Sequence, residues 1–416
     1  MHGFAPALGI LSCDDVPLDD IARETGTPVH VYSDGLIAER YRALDEAFSG
    51  YPHRLHYAIK ANATIAVVRR LRELGASADA NSGGEIELAR RAGFPPGDIV
   101  FTGVGKTRAE LERAIGLGVR AINAESPGEV DRITALAGAL GVEARVAVRV
   151  NPDVDAGSHP HISTGRRINK FGLSVDGARA LVRDAAARPG LRVVGLHMHI
   201  GSQVTSAAPV SRAVSALAAL AAELVADGIA LEHLDVGGGL GIAYMPGERV
   251  LPPAEYAAAV LDAVRPTGLL LLLEPGRWIV GPAGVLVTEV VDLKRRPDGG
   301  WFVIVDAGMT DLLRPALYGA HHEIEPVAPR EGPPIVGHVV GPVCETSDAF
   351  TAGVEMPPVE VGDLLAIRDT GAYGAVMASN YNRRPMAAEV LVEAGGWRLA
   401  RRRQSLDDML QWDVEC

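Results

Sequence analysis

From about residue 30 to residue 280, short apolar runs alternate with stretches whose apolar positions recur every three or four residues. The runs end in polar or glycine-rich turns, which predicts strands at 55–59, 77–80, 99–102, 121–123, 145–150, 193–199, 231–236 and 269–273. The intervening stretches carry helix start signals. Thr107-Arg-Ala-Glu110 and Ser126-Pro-Gly-Glu129 have the form of capping boxes, the second with proline at the first helical position. Ile37, Tyr41, Leu44 and Phe48 keep helical spacing ahead of the first strand, and the alanine-rich stretch 207–230 reads as one helix.

Eight such β/α units predict a closed parallel barrel of the TIM type. An open doubly wound sheet would carry a dinucleotide fingerprint at its first strand, and none is there. Beyond about Gly281 the rhythm changes. Segments 285–293, 301–306, 335–340, 364–368 and 373–377 read as strands without regular helices between them, and 388–402 as a hairpin turning at Gly395-Gly396. The expected α/β architecture is therefore a (β/α)8 barrel over residues 30–280, followed by a mainly β domain of 281–416 that residues 1–29 join.

Net charge is −12 over 416 residues, with 40 basic and 52 acidic side chains interspersed. That pattern speaks against a nucleic-acid footprint or a polybasic membrane patch. Cys13, Cys344 and Cys416 are too far apart in sequence to suggest a disulfide framework, and a reducing cytoplasmic setting is expected. The first twenty residues lack a charged n-region, so no signal peptide is expected. The most apolar run, 269–273, is far short of the about 20 residues a membrane span needs. Asn62-Ala63-Thr64 matches a glycosylation sequon and is read as accidental.

Lys60 closes the first strand in His56-Tyr-Ala-Ile-Lys60-Ala-Asn62. Burial there would lower an amine's pKa and free its lone pair for attack on a carbonyl. In a barrel, catalytic groups project from the C-terminal ends of the strands, and phosphate binds after strands seven and eight. Lys60 ends the first predicted strand, Asp79 lies near the end of the second, and His199 ends the sixth. Gly237-Gly238-Gly239 ends the seventh, and Glu274-Pro-Gly276-Arg277 ends the eighth. All fall on one rim. The glycines would let backbone amides approach a phosphate, with Gly276 and Arg277 closing the other side. Gly-Gly-Gly-Leu-Gly does not fit the dinucleotide pattern, because Ile242 stands where a further glycine belongs. Gly103-Val-Gly-Lys106-Thr107 resembles the tail of a nucleotide P-loop, but Val100 occupies its first glycine position.

His197-Met-His199 is read as placing its two histidines on opposite faces of a strand, so that one looks into the site and the pair cannot ligate a metal together. His159, His161, His321 and His322 are read as loop or surface residues, and no metal set is expected. An amine, a phosphate cradle and a carboxylate together describe a pyridoxal phosphate site. Lys60 would take the aldehyde, with Asp79 beside it. Glu274 would pair with the pyridine nitrogen, the alternative being a rim salt bridge to Arg277.

These residues resemble the alanine-racemase-type, or fold-type III, pyridoxal phosphate-dependent decarboxylases, and within them the diaminopimelate decarboxylase family. The resemblance runs from about Thr27 to Tyr381. In the barrel it is carried by Tyr57-Ala-Ile-Lys60-Ala-Asn62, His197-Met-His199-Ile-Gly-Ser202-Gln203, Gly237-Gly-Gly-Leu-Gly241 and Glu274-Pro-Gly-Arg277. Beyond it come Asp306-Ala-Gly-Met309, Arg314-Pro-Ala-Leu-Tyr318-Gly, Gly341-Pro-Val-Cys344-Glu345-Thr-Ser-Asp348 and Gly371-Ala-Tyr373-Gly. The resemblance implies that Lys60 holds the cofactor's aldehyde and that His199 stacks on its ring. It places Ser202, Gly239, Gly276 and Arg277 around the phosphate, with Tyr373 reaching phosphate or substrate. Arg277, Arg314 and Tyr318 are implied to grip a distal carboxylate, Glu345 a distal ammonium, and Cys344 to supply the proton that replaces carbon dioxide.

The implied reaction is decarboxylation of meso-2,6-diaminopimelate to L-lysine, in a homodimer whose Cys344 segment reaches the neighbouring subunit's barrel. Related decarboxylases of ornithine, arginine or a carrier-bound glutamyl group are the alternative. The basic amino acid enzymes carry aspartate after the cysteine, where this chain has Glu345. An alanine racemase-type isomerase would want a weaker electron sink than Glu274 provides, and non-catalytic members of the fold lack the Lys60–Cys344 combination. Ala349-Phe-Thr351 and Arg383-Arg-Pro-Met386 depart from the family pattern.

Overall fold

Strand pairing closes on itself in the computed structural model, which describes residues 3–154 and 170–414; His159, His161 and Cys416 lie outside them. The barrel strands are β1 (His53–Ala58), β2 (Ser77–Ala80), β3 (Ile99–Phe101), β4 (Ala121–Ala124), β5 (Ala144–Asn151), β6 (Leu191–His197), β7 (His233–Asp235) and β8 (Leu270–Leu273). Each pairs in parallel with the next, and β8 pairs with β1. A two-residue strand, Leu173–Ser174, adds to β5.

Two strand ends differ from the sequence expectation. β1 stops at Ala58, and Ile59–Ala61 form one turn of 3₁₀ helix, so Lys60 stands on that turn rather than on the strand. β6 stops at His197, which leaves His199 in the loop beyond it.

Of the two predicted capping boxes, one forms in full. Thr107 forms the expected box with Glu110. Ser126 accepts from the Glu129 amide, but the Glu129 carboxylate turns away to Lys106 Nζ (2.7 Å) and the Glu125 amide (3.2 Å). A buried ammonium competes better for that carboxylate than a backbone amide does. The same contacts dispose of the P-loop likeness, since Lys106 is buried on Glu129 and on the Gly103 and Asn123 carbonyls. Helix Ala207–Ala226 is long and apolar enough to cross a membrane by length and composition. Its Val210, Ala213, Val214, Leu217, Leu220, Ala221 and Leu224 are buried at helical spacing, and it packs along helix Pro253–Val264 as a core helix does. It stops before the predicted end because Gly228 turns left-handed, at φ +87°.

The chain divides into two compact units: Arg40–Ile242 with Arg249–Trp278, and residues up to Glu39 with Ala243–Glu248 and everything from Ile279 onward. The second unit is built on a sheet in which Val29–Ser33 lies between Gly284–Arg295 and Ala388–Glu393. Alternation along Gly284–Arg295 sends Val285 and Val287 into one apolar cluster and Leu286 and Val290 into another, so this strand is covered on both faces. The hairpin Ala388–Glu393 and Gly396–Arg401 forms as expected. Segment 373–377 does not form a strand. Tyr373 has φ +58°, Ala375–Met377 make a 3₁₀ turn, and a Cβ on Gly374 would lie 2.5 Å from the Thr370 carbonyl. Backbone folded back this closely cannot extend into a ladder.

Candidate active site

The C-terminal ends of the barrel strands bring one set of predicted residues together. The Lys60 amine lies 3.4 Å from Asp79 Oδ2 and 3.4 Å from Asn81 Oδ1, with Asp79 fully buried and itself accepting from Asn81 at 3.1 Å. Strand β8 delivers Glu274 to the barrel interior. One of its oxygens accepts from the Thr102 hydroxyl at 3.2 Å and the other meets His197 Nε2 at 3.3 Å. The Arg277 guanidinium donates to the Ser202 hydroxyl at 2.9 Å.

His197 corrects the sequence reading. Residues two apart on a strand share a face, so the expectation of opposite faces used the wrong period. Both histidines look inward, His197 onto Glu274 and His199 onto the glycine turn, where its Nδ1 accepts from the Gly238 amide at 3.2 Å. His197, Asp235 and Glu274 place ligand atoms within 4.8 Å of one another, all buried. Asp235 was not singled out in the sequence. Its signal was an acid at an inward position of β7, two residues before Gly237, whose amide it accepts at 2.9 Å.

Charge is distributed unevenly over this floor. Burial pushes the Glu274 carboxyl upward, but the contact with His197 and the Lys60 charge outweigh it and hold the group well below the usual carboxylate range. Burial and the Glu274 charge push Asp79 and Asp235 the other way, upward. His199 is lowered to about 3, first by burial and then by Lys60 and Arg149, which keeps it a neutral imidazole.

The glycine turn is a cradle that side chains would fill. A Cβ on Gly237 would sit 2.4 Å from the Met198 carbonyl, on Gly238 2.0 Å from the Glu274 carbonyl, and on Gly239 2.2 Å from the Gly201 carbonyl. On Gly276 it would meet Ala61 and Ala58 at 2.9 and 3.1 Å, so the turn after β8 packs flat on the turn that bears Lys60. The loops are also sewn together, Val204 N–H to Gly239 O at 2.8 Å and Glu274 N–H to Gly237 O at 2.8 Å. A backbone-lined concavity beside an arginine and a serine fits a phosphate. A neutral histidine ring, a lysine and an interior carboxylate fit an aromatic aldehyde with a basic ring nitrogen. The residues present fit pyridoxal phosphate.

The remaining predicted residues lie in the sheet unit. Arg314 begins the short helix Arg314–Tyr318, is buried, bonds His322 Nε2 at 2.7 Å and lies 4.5 Å over the Tyr244 ring. His322, expected at the surface, is buried because its other nitrogen meets the Arg368 carbonyl at 2.7 Å and its ring packs on Tyr244. His321 is exposed, as read. Cys344 and Glu345 stand on an exposed turn, and Tyr318 and Tyr373 are half-buried. The sequon is closed, since Asn62 is buried and holds the Thr64 amide.

Residues 34–281 match the family described as pyridoxal-dependent decarboxylase, pyridoxal binding domain. The chain is 46% identical to the diaminopimelate decarboxylase of Vibrio cholerae, over 98% of this chain and 97% of that one. Among solved structures it resembles the Helicobacter pylori diaminopimelate decarboxylase complexed with L-lysine, with a TM-score of 0.91, 40% identity and coverage of 95% and 98%. It also resembles that of M. jannaschii in co-complex with L-lysine, with a TM-score of 0.95, 37% identity and coverage of 100% and 99%.

Proposed function

The chain belongs to the diaminopimelate decarboxylase family of pyridoxal-dependent decarboxylases, and from that premise we infer that it removes carbon dioxide from meso-2,6-diaminopimelate at the D-centre and yields L-lysine. The observation that carries this reading is the rim on which Lys60, the Gly237–Gly239 turn and an ionised interior Glu274 converge. Pyridoxal phosphate bound there would supply the electron sink that accepts the electrons left by the departing carboxylate.

Each side chain has a part in this reading. Lys60 anchors the group by its aldehyde and Asp79 steadies the amine. Ser202, Gly237, Gly238, Gly239, Gly276 and Arg277 hold the phosphate, with Tyr373 beside it. His199 offers a flat neutral face to the ring, and Glu274 keeps the pyridine nitrogen protonated. A substrate with a free amino acid at its far end needs both cationic and anionic partners. Arg277, Arg314 and Tyr318 take the distal carboxylate and Glu345 the distal ammonium. The Cys344 thiol delivers the proton that takes the place of carbon dioxide on the α-carbon. The enzyme works as a cytoplasmic homodimer in which each subunit's Cys344 segment serves the other subunit, without nucleic acid or membrane.

Carbon dioxide release measured in parallel on meso-diaminopimelate, ornithine, arginine and lysine tests the reading. Turnover of the first well above the others is expected. Preference for a substrate that lacks the distal carboxylate would overturn it in favour of a basic amino acid decarboxylase.

A further inference from the structure

The turn that carries Cys344 and Glu345 is exposed, yet it is held at both ends. At its base the Asp348 carboxylate accepts the amides of Val343 and Met309 at 2.7 and 2.6 Å, and a Cβ on Gly341 would lie 2.3 Å from it. At its tip the Tyr381 hydroxyl donates to Glu345 Oε1 at 2.6 Å, and the Cys344 amide donates to Asn382 Oδ1 at 2.9 Å.

Of the two residues that make these tip contacts, Asn382 sits on strained backbone together with its neighbour Arg383. Asn382 and Arg383 are consecutive non-glycine residues with φ +52° and +54°. Such a pair persists only where the surroundings over-determine it. Here Asn380 bonds the Arg384 carbonyl at 2.8 Å and Gln404 at 2.5 Å, while Arg383 reaches the Met409 carbonyl at 3.4 Å and Asp413 at 3.1 Å. Hydrogen bonds between exposed groups return little stability, so folding energetics alone give no reason for straining backbone to make them. Orientation does. A glutamate side chain has one more rotor than an aspartate, and a hydroxyl on its carboxylate removes that freedom before substrate arrives.

We propose that Tyr381 and Asn382 are positioning residues, Tyr381 aiming the Glu345 carboxylate and Asn382 fixing the backbone that carries the Cys344 thiol. The proposal rests on the reading that Glu345 meets the distal ammonium and Cys344 the α-carbon.

The test uses the holoenzyme, with KM and kcat read separately and the bound cofactor's absorbance as an independent check on the barrel. Y381F should raise KM for meso-diaminopimelate about fivefold, hold kcat within about twofold and leave the absorbance unchanged. Combined with E345Q it should add nothing to the effect of E345Q alone, as expected of residues acting as one unit. N382G keeps the left-handed backbone but lacks the acceptor, and should lower kcat about tenfold at near-constant KM. N382D, which restores an acceptor, should recover it. An unchanged KM in Y381F beside a raised KM in E345Q would overturn the proposal while leaving the role of Glu345 intact. A KM that E345Q does not move would overturn the substrate role of Glu345 and the proposal with it.

Discussion

A single methyl group placed on Gly238 tests the phosphate cradle most directly. Its Cβ would stand 2.0 Å from the Glu274 carbonyl oxygen, whereas ordinary contact begins near 3.4 Å, so one of the two backbones must move by about 1.4 Å. Neither is the end of a flexible side chain. The shift would break the Gly238 amide bond to His199 and the Glu274 amide bond to Gly237. At roughly 1 kcal/mol for each bond and about 1–3 kcal/mol for the overpacking, G238A should cost on the order of 3–5 kcal/mol. That is less than the stability of most domains, so folded protein should be recoverable. A displacement of this size at a binding turn should weaken cofactor retention about 10²-fold. The assay is cofactor absorbance after dialysis, with the apparent unfolding temperature recorded in parallel. G116A is the matched control, since Gly116 lies in helix Arg108–Leu117 and a Cβ there meets nothing within 4 Å. It should be neutral or stabilise by up to ~1 kcal/mol. G238A protein that keeps cofactor and unfolds like G116A would refute the argument that backbone crowding defines the cradle.

Three further substitutions probe the charge distribution and the proton supply. C344A should retain the cofactor absorbance and lose about 10²- to 10⁴-fold in kcat, the usual contribution of a positioned proton donor; near-normal turnover would remove Cys344 from the mechanism. E274Q keeps the shape and the Thr102 contact but not the charge, and should bind cofactor while kcat falls on the order of 10²-fold. An unaltered kcat would show that the carboxylate charge is not used. His233 is buried with neither ring nitrogen bonded among the described residues, and is lowered to about 3, first by burial and then by Arg120. Its neutral form is the folded one, so the stability it contributes is complete above pH 6.5 and is lost as pH falls from 6.5 toward 3. Urea unfolding at several pH values should therefore show H233L gaining about 1.4 kcal/mol per pH unit on the wild type over that window, and parallel pH profiles would contradict this.

The barrel was legible in the sequence because its signals are local. A buried parallel strand is a short apolar run, its helix announces itself by a cap, and eight repetitions leave few alternatives. The residues after strands one, six, seven and eight were legible for the same reason, since in a barrel chain order fixes the rim. What escaped depended on geometry that spacing does not report. The 3₁₀ turn that carries Lys60 and the early end of β6 shift two candidate site residues off their strands. His322 looked like a loop histidine, and only packing on Tyr244 and Arg368 buries it. Asp235 could have been found by applying the period of two correctly, which would also have put His197 and His199 on one face.

That shared face explains how several acids can occupy one dry interior without unfolding it. Asp79, Asp235 and Glu274 all lie buried at this end of the barrel, and like charges so close cannot all ionise. His197 and the nearby Lys60 charge settle the contest in favour of Glu274, and the raised Asp79 and Asp235 retain their protons more readily. The charge therefore sits at the end of β8, where the proposed ring nitrogen needs it. Gly237 is bonded from both sides by these same acids, its amide to Asp235 and its carbonyl to the Glu274 amide. The backbone at Glu274 is thus tied directly to the turn proposed to hold the phosphate. Crowding Gly238, which presses directly on the Glu274 carbonyl, should therefore be felt at both ends of the proposed cofactor site.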